Sequence, residues 1–529
     1  MNFKYIMFLL VLGVVISSCT KEQFEDAYAD PEKVAETSIE RQYTGFLNAT
    51  RGHIVPNYND YFENLRITLN PWTQSISWIN TPNQYIPGSR ALDLVWNNYY
   101  AGMRQYREFE KVFDASEAEK QTRLKVFKQT ADIHFFRETA KMIDLYENIP
   151  FFEAGRLSQN GGDYDNSYPA FDLGPDIYAY MLDELKVIAD DFAAGEPGVS
   201  AAASLKAQDF INYGDFDLWK RYANSLRLRM LNRLSLSSEF SSRATSEMAE
   251  ILGNPSKYPV VENNDQNIMI DIYDINSAIN SGGFNGGINS GGWDGDDAPK
   301  AMIDYMNESE DPRLRVLFEP GDSANGEFIG IDPLLLGNDQ NDLRNTSVTA
   351  FYNRTTTSRN QSFPGVIINA PEVNLIKAEY YLKAGDDAAA KEAYETAIKQ
   401  STDFYFYVNS LGADRIAGEP TPVEESEFDV MFATEAAGWD NAGSQEEKIE
   451  LIASQKWVHF NIIQPYQNWA EIRRLDYPVL EFWVDNSSLV KTPPLRFNVP
   501  GNEQSFNKSN YEAISGEDEL FNPLFWDVN

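Results

Sequence analysis

Residues 371–401 read PEVNLIKAEYYLKAGDDAAAKEAYETAIKQS, and this run decides the class of fold. Val373, Leu375, Ile376 and Tyr380 recur at helical spacing, Gly385-Asp386-Asp387 interrupts them, and Ala390, Tyr394, Ala397 and Ile398 resume the pattern. Apolar residues three and four apart share one face of a helix, and a Gly-Asp turn between two such runs folds them back on each other. Small residues at the crossing let the helices approach closely. The stretch therefore predicts a helical hairpin, and a hairpin of this kind needs neighbouring helices to cover its remaining apolar surface.

Outward from the hairpin the same periodicity returns. Over residues 122–146, Leu124, Phe127, Ala131, Phe135, Met142, Ile143 and Tyr146 predict one long amphipathic helix that stops before Pro150. Residues 172–188 repeat it with Ile177, Met181, Leu182, Leu185 and Ile188, and Asp172 reads as an N-cap ahead of Pro175. Residues 216–236 mix Trp219, Leu226, Met230 and Leu234 with Arg221, Arg227, Arg229 and Arg233, whose expected partners are the abundant acids. A last helix is expected over 446–469, leading into Glu471-Ile472-Arg473-Arg474-Leu475-Asp476-Tyr477-Pro478. The expectation is a mainly α protein, and its unit at 371–401 resembles a tetratricopeptide repeat. Between the helices lie long irregular stretches. Residues 69–90 hold Trp72, Trp78, Tyr85 and three prolines, and the glycine-rich residues 281–297 hold Phe284 and Trp293. Loops of this length tend to be functional or disordered, and embedded tryptophans argue against disorder.

The leader sets the compartment. Lys4 precedes an apolar stretch, residues 7–16, and then Ile16-Ser17-Ser18-Cys19. Ten apolar residues cannot span a bilayer as a helix, so residues 1–18 read as a cleaved signal and residues 19–529 as the mature protein, taken as a single domain. Cys19 is the one cysteine in the chain, which excludes an internal disulfide and a thiol-dependent site within the fold. The tripeptide before it resembles a lipobox, with Ile16 where leucine is commoner, and Cys19 stands where bacterial lipoproteins are acylated. Stable anchoring would need more than one acyl chain. The net charge is −36, from 44 basic and 80 acidic residues, and a surface so acidic repels phosphate backbones and anionic headgroups, which excludes nucleic acid as a partner. Aromatic residues make up 13%, with 28 tyrosines and 10 tryptophans. Beyond core packing, such rings stack on the C–H faces of neutral sugars.

Several segments together resemble one family. Trp96-Asn97-Asn98-Tyr99-Tyr100 is similar to the opening of the first long helix in the SusD/RagB family of outer-membrane nutrient-binding lipoproteins, in its starch-utilisation branch. Asn148-Ile149-Pro150-Phe151-Phe152-Glu153-Ala154, Tyr168-Pro169-Ala170-Phe171-Asp172 and Met181-Leu182-Asp183-Glu184-Leu185 match its next steps in order. Ala223-Asn224-Ser225-Leu226-Arg227-Leu228-Arg229, Ala378-Glu379, Arg473-Arg474 with Tyr477-Pro478, and Phe525-Trp526-Asp527 complete the series. Lys21-Glu22 after Cys19 is similar to the surface-export signal of such lipoproteins in Bacteroidota. The resemblance implies a SusD-like fold with four tetratricopeptide-like helix pairs and a loop-rich variable face. It also implies a lipid-anchored location on the cell surface at the outer membrane, and delivery of a glycan to a TonB-dependent, SusC-like transporter. Peptide or another nutrient is the alternative ligand.

By the same resemblance, ligand contacts would come from residues 69–90 and 281–297. Trp72, Trp78 and Trp293 are the stacking candidates, with Gln74, Arg90, Asn285 and Asn289 as hydroxyl partners. An enzyme finds little support. His53, His134 and His459 are the only histidines and form no metal-ligand pattern, and no nucleophile elbow, phosphate loop or dinucleotide fingerprint is present. A carboxylate pair for glycoside hydrolysis stays open among so many acids, which keeps a surface glycosidase as the third reading. No cofactor is expected. Structural calcium has weak support from two places: Asp163-Tyr164-Asp165-Asn166-Ser167, which lacks the EF-hand glycine and terminal glutamate, and Asp294, Asp296 and Asp297.

Overall fold

A computed structural model describes residues 37–289 and 295–528. The leader and Cys19, and the pair Trp293 and Asp294, lie outside the described residues. Among the described residues the frame includes the helices α1 (Ile39–Thr50), α2 (Ser89–Asp114), α3 (Lys125–Tyr146), α4 (Gly174–Ala194), α5 (Phe216–Leu234), α6 (Ala370–Lys383), α7 (Asp387–Leu411), α8 (Gln445–Phe460) and α9 (Pro465–Leu475). The fold is mainly α, as expected, with 55% of it helical. Among the described residues, strands form only two short antiparallel pairs, β1 (Ile268–Ile270) with β4 (Gly365–Ile368) and β2 (Phe318–Glu319) with β3 (Phe351–Tyr352).

The hairpin at 371–401 is α6 and α7. Asn369 caps α6 by accepting from Glu372 N–H, Gly385 takes φ +82° in the turn, and Asp386 caps α7 by accepting from Ala389 N–H. The second helix runs ten residues past the predicted end, because Phe404, Tyr405 and Val408 continue its buried stripe. As anticipated, neighbours cover the pair: α6 packs on α5 and α8, and α5 on α4. Leu375, Ala378, Tyr394 and Trp439 form a smaller core inside this region, apart from the main core that joins α1, α2, α3 and α5.

Three helix boundaries differ from expectation. Leu124 leaves helical geometry, so residues 118–123 form a separate short helix before α3. Asp172 does not cap α4; its carboxylate accepts from the N–H groups of Phe151 and Phe152 at 2.9 and 3.0 Å. The segment expected as one helix over 446–469 is two, α8 and α9, because Pro465 cannot donate to a continuing helix and instead opens α9.

The arginines of α5 do find acids. Arg221 pairs with Asp217 at 2.7 Å, Arg227 with Glu247 at 3.1 Å, Arg229 with Glu372 at 2.5 Å, and Arg233 with Glu471 at 2.5 Å and Asp144 at 3.2 Å. Glu471 belongs to a buried cluster that joins α5, α6, α8 and α9. Arg474 reaches Glu379 and Glu471 at 2.6 Å each, and Lys456 reaches them at 2.8 and 2.7 Å. Burial opposes ionisation of Glu379, yet Arg474, Lys383 and Lys456 outweigh it and hold this carboxyl well below its ordinary range. Among the described residues, no helix is long and apolar enough to cross a membrane.

Candidate functional site

The two loops singled out by sequence meet in space. Ser77 donates its N–H to Asp297 O at 2.9 Å and its hydroxyl to Ala298 O, 221 residues away, also at 2.9 Å. Three residues on, Asn80 donates its side-chain amide to Pro333 O and Leu335 O at 2.7 Å each, and its N–H to Gln340 Oε1 at 2.6 Å. Trp78 lies between these anchors and is partly exposed. The helix Gly337–Asn345 comes so near this loop that a Cβ at Gly337 would sit 2.2 Å from Asn80 O, and glycine is what permits the approach. From the other side, Asp297 bridges Phe351, and Tyr352 N–H donates to Asp296 O at 2.9 Å.

A buried charge braces the junction. Arg66 is 3% exposed and donates from Nε to Asp296 Oδ1 at 2.7 Å, while Tyr61 donates its hydroxyl to Asp296 Oδ2 at 2.5 Å. The guanidinium carbon lies 5.5 Å from the centroid of Phe62 and 6.0 Å from that of Trp78, so it also fixes the indole. Burial pushes the Asp296 carboxyl upward against the pull of Arg66. Beside it, Arg344 meets Asp297 at 3.1 Å, and burial pushes Asp297 up to about 6 despite that partner. A cavity of about 30 Å³ behind Trp78, lined by Trp72, Ile76, Tyr85, Gln340 and Phe482, is roomy enough for about one water. A ligand here would lie across the indole rather than enter a pocket. The site presents one partly exposed indole, flanked by the Arg66 guanidinium and by anchored polar loops.

The sequence candidates separate cleanly. Trp72 is 3% exposed and packs against Trp469 and Phe497 at 5.5 and 5.9 Å, so it is a core side chain and no stacking surface. Gln74 is equally buried and donates its amide to Glu481 O at 2.6 Å. Asn285 donates to Thr357 O and Asn360 O at 3.1 and 3.0 Å, and Asn289 to Ser358 O at 2.7 Å; both amides pin a loop. They stand in the middle and just past the end of a short helix, Gly282–Ile288, in a stretch that reads as irregular. Arg90 is exposed and pairs with Glu63 at 2.6 Å. Trp293 lies outside the described residues. Sequence reading passed over Arg66, Asn80 and Arg344. No local pattern marks them, since their partners are 230, 253 and 255, and 47 residues away.

The suggested calcium ligands are otherwise engaged. Asp163 accepts from Asp165 N–H, Asn166 N–H and the Asn166 amide, and Asp296 and Asp297 pair with arginines. Among the described residues no group of three or more His, Cys, Asp or Glu could hold a metal. His134 is fully buried within α3, with Nε2 2.8 Å from the Thr50 hydroxyl, a packed residue.

Stacked helix pairs carry, on the loops between them, a partly exposed indole set among polar groups. A family model described as starch-binding, associating with outer membrane, matches residues 37–500, and the chain belongs to this SusD-like family. No curated protein matches. Among solved structures, a chitin-binding protein is similar at 20% identity and TM-score 0.72, over 92% of this chain and 100% of its own. A SusD homologue from Bacteroides fragilis NCTC 9343 is similar at 19% identity and TM-score 0.71, over 93% and 100%. A chitin-binding SusD homologue from Flavobacterium johnsoniae is similar at 19% identity and TM-score 0.67, over 92% and 99%. At these identities the likeness concerns the fold.

Proposed function

We propose that the protein captures an uncharged glycan at the cell surface and passes it to a TonB-dependent outer-membrane transporter, without catalysis. Its 19–529 portion would act as one domain, held to the outer membrane by lipid on Cys19. The observation that carries this reading is the partly exposed Trp78 indole, fixed between the Ser77 and Asn80 anchors and braced by the buried Arg66–Asp296 pair. Trp78 and Trp293 are the proposed stacking residues, with Arg90 and Arg344 as proposed hydroxyl partners. The family description supports starch-like ligands, and two structural relatives are described as chitin-binding.

The test is retention of the full protein on insoluble starch and chitin, with reducing ends followed over time. Wild-type protein should be retained on at least one polymer, and Trp78→Ala should lose about tenfold in affinity, or ~1.4 kcal/mol, at an unchanged urea midpoint. No reducing ends should accumulate. Retention by neither polymer together with binding to a peptide array would move the reading to peptide capture, and a steady release of reducing sugar would replace it with a glycosidase.

A further inference from the structure

A larger concave surface is built from none of the Trp78 platform residues. After the helix Val199–Gln208, the Asp209 carboxylate accepts from the N–H groups of Ile211, Asn212 and Gly214 at 2.9, 3.2 and 3.0 Å, and from the Trp219 indole at 2.7 Å. This gathers the loop so tightly that Tyr213 takes φ +52° and Gly214 φ +71°. A Cβ on Gly214 would stand 2.5 Å from Lys206 Cα, so glycine is required there, and a bulky residue such as Tyr213 adopts left-handed geometry only when its surroundings enforce it.

The enforced conformation leaves the Tyr213 ring 39% exposed, 5.4 Å from Tyr273 in an edge-to-face pair. Tyr273 is 73% exposed, and Tyr407 from α7 is 41% exposed. These three rings line a cleft of about 560 Å³, within the range of small-molecule sites. Asn212 also lines it, is 2% exposed, and has no hydrogen-bond partner on either amide atom; Asp271 Oδ1 is likewise buried and unpartnered. Buried polar atoms left unmatched are costly, and here the two side chains that carry them line an open cavity together with aromatic rings. Asp265, Asp271 and Asp403 line the cleft and no lysine or arginine does.

We propose that this cleft is a second saccharide-binding site, selective for uncharged oligosaccharide. Ring C–H faces would stack on Tyr213, Tyr273 and Tyr407, hydroxyls would pair with the Asn212 amide and the carboxylates, and the acids would repel uronate or sulfate groups. The inference shares its ligand class with the proposed function and rests on that reading, but it uses different residues. A polymer long enough to occupy both places is retained more strongly than either site alone allows.

The experiment is native affinity electrophoresis of the full protein through soluble starch, glycol chitin and polygalacturonate. It compares wild type with Trp78→Ala, the double variant Tyr273→Ala/Tyr407→Ala, Asn212→Ala, and the Trp78, Tyr273 and Tyr407 alanine changes combined; urea midpoints serve as the folding check. A neutral polymer should retard wild type, the double variant and Asn212→Ala should each lose at least threefold in affinity, and the combined variant should run unretarded. Polygalacturonate should retard none. If Trp78→Ala loses retention while the tyrosine and asparagine variants behave as wild type, the second site is refuted and the platform stands. If the tyrosine variant alone loses retention, the cleft stands and the platform falls. Absence of retardation by either neutral polymer removes both, and polygalacturonate retardation that depends on the tyrosines overturns the assignment to uncharged ligands.

Discussion

The α6–α9 region and the loop junction around Trp78 both bury charge, and they spend their polar side chains differently. In the helical region the backbone groups are satisfied within each helix, so Glu379, Lys456, Glu471 and Arg474 are left to pair with one another across three elements. In the junction the backbone has few internal partners, and side chains are consumed in serving it: Asn80, Gln74, Asn285 and Asn289 all donate to main-chain carbonyls. An asparagine in an irregular loop is therefore a poor marker of a ligand contact, because the loop itself competes for its amide. An aromatic ring, which the backbone cannot use, is the better marker.

That contrast can be broken most severely in the helices. Glu379→Ala leaves Glu471 as the one carboxylate shared by the buried Arg474 and Lys456 and should cost about 3 kcal/mol in urea unfolding, the effect of removing one partner from a buried ionic cluster. A loss below about 1 kcal/mol would show that water or a rearrangement replaces the carboxylate. Next comes Trp72→Ala, which opens a cavity against Trp469 and Phe497 and should cost about 3 kcal/mol, while affinity measured on the remaining folded fraction stays at the wild-type level. Trp78→Ala, six residues on, should do the reverse, with less than about 1 kcal/mol lost in stability and retention impaired. Equal behaviour of the two would erase the distinction between core and platform.

The smallest of these effects is graded by pH. His459 is buried in α8 between Asn369 and Ser401, and burial followed by repulsion from Arg313 lowers it from 6.5 to about 3. Its neutral form is the one the fold accommodates, so its contribution is complete above about 6.5 and is lost as pH falls toward about 3. Asp297 and Asp527, both raised to about 6, act in the opposite sense, gaining stability as pH falls from about 6 to 3.8. His459→Gln should flatten the acid-side decline in urea midpoint relative to wild type, and parallel curves for the two proteins would assign that decline to other groups.

The helical frame was legible because 3.6-residue periodicity is a local signal. It located α3, α5 and α6 within a few residues, and it failed at the far end of α7, which runs on to Leu411, at Leu124, where the break is itself apolar, and at the α8–α9 joint, where Pro465 ends the run. The resemblance pointed to the two loops that do meet. Within them, burial could not be read: Trp72 and Trp78 have similar neighbours in sequence, and only the packing of Trp469 and Phe497 distinguishes them. The tyrosine cleft was invisible for the same reason, since Tyr213, Tyr273 and Tyr407 come from three distant segments, and Tyr213 is placed by a turn that Asp209 imposes.

Gly337 carries a consequence for how this surface diversifies. Every single-base change in a glycine codon that yields another amino acid adds a Cβ, and at Gly337 that atom would collide with Asn80 O. This crossing of the backbone under Trp78 is thus closed to ordinary point mutation at Gly337. New tastes in ligand must arise by exchanging what is mounted on the frame, so descendants of this protein would keep the scaffold's shape while changing what it holds.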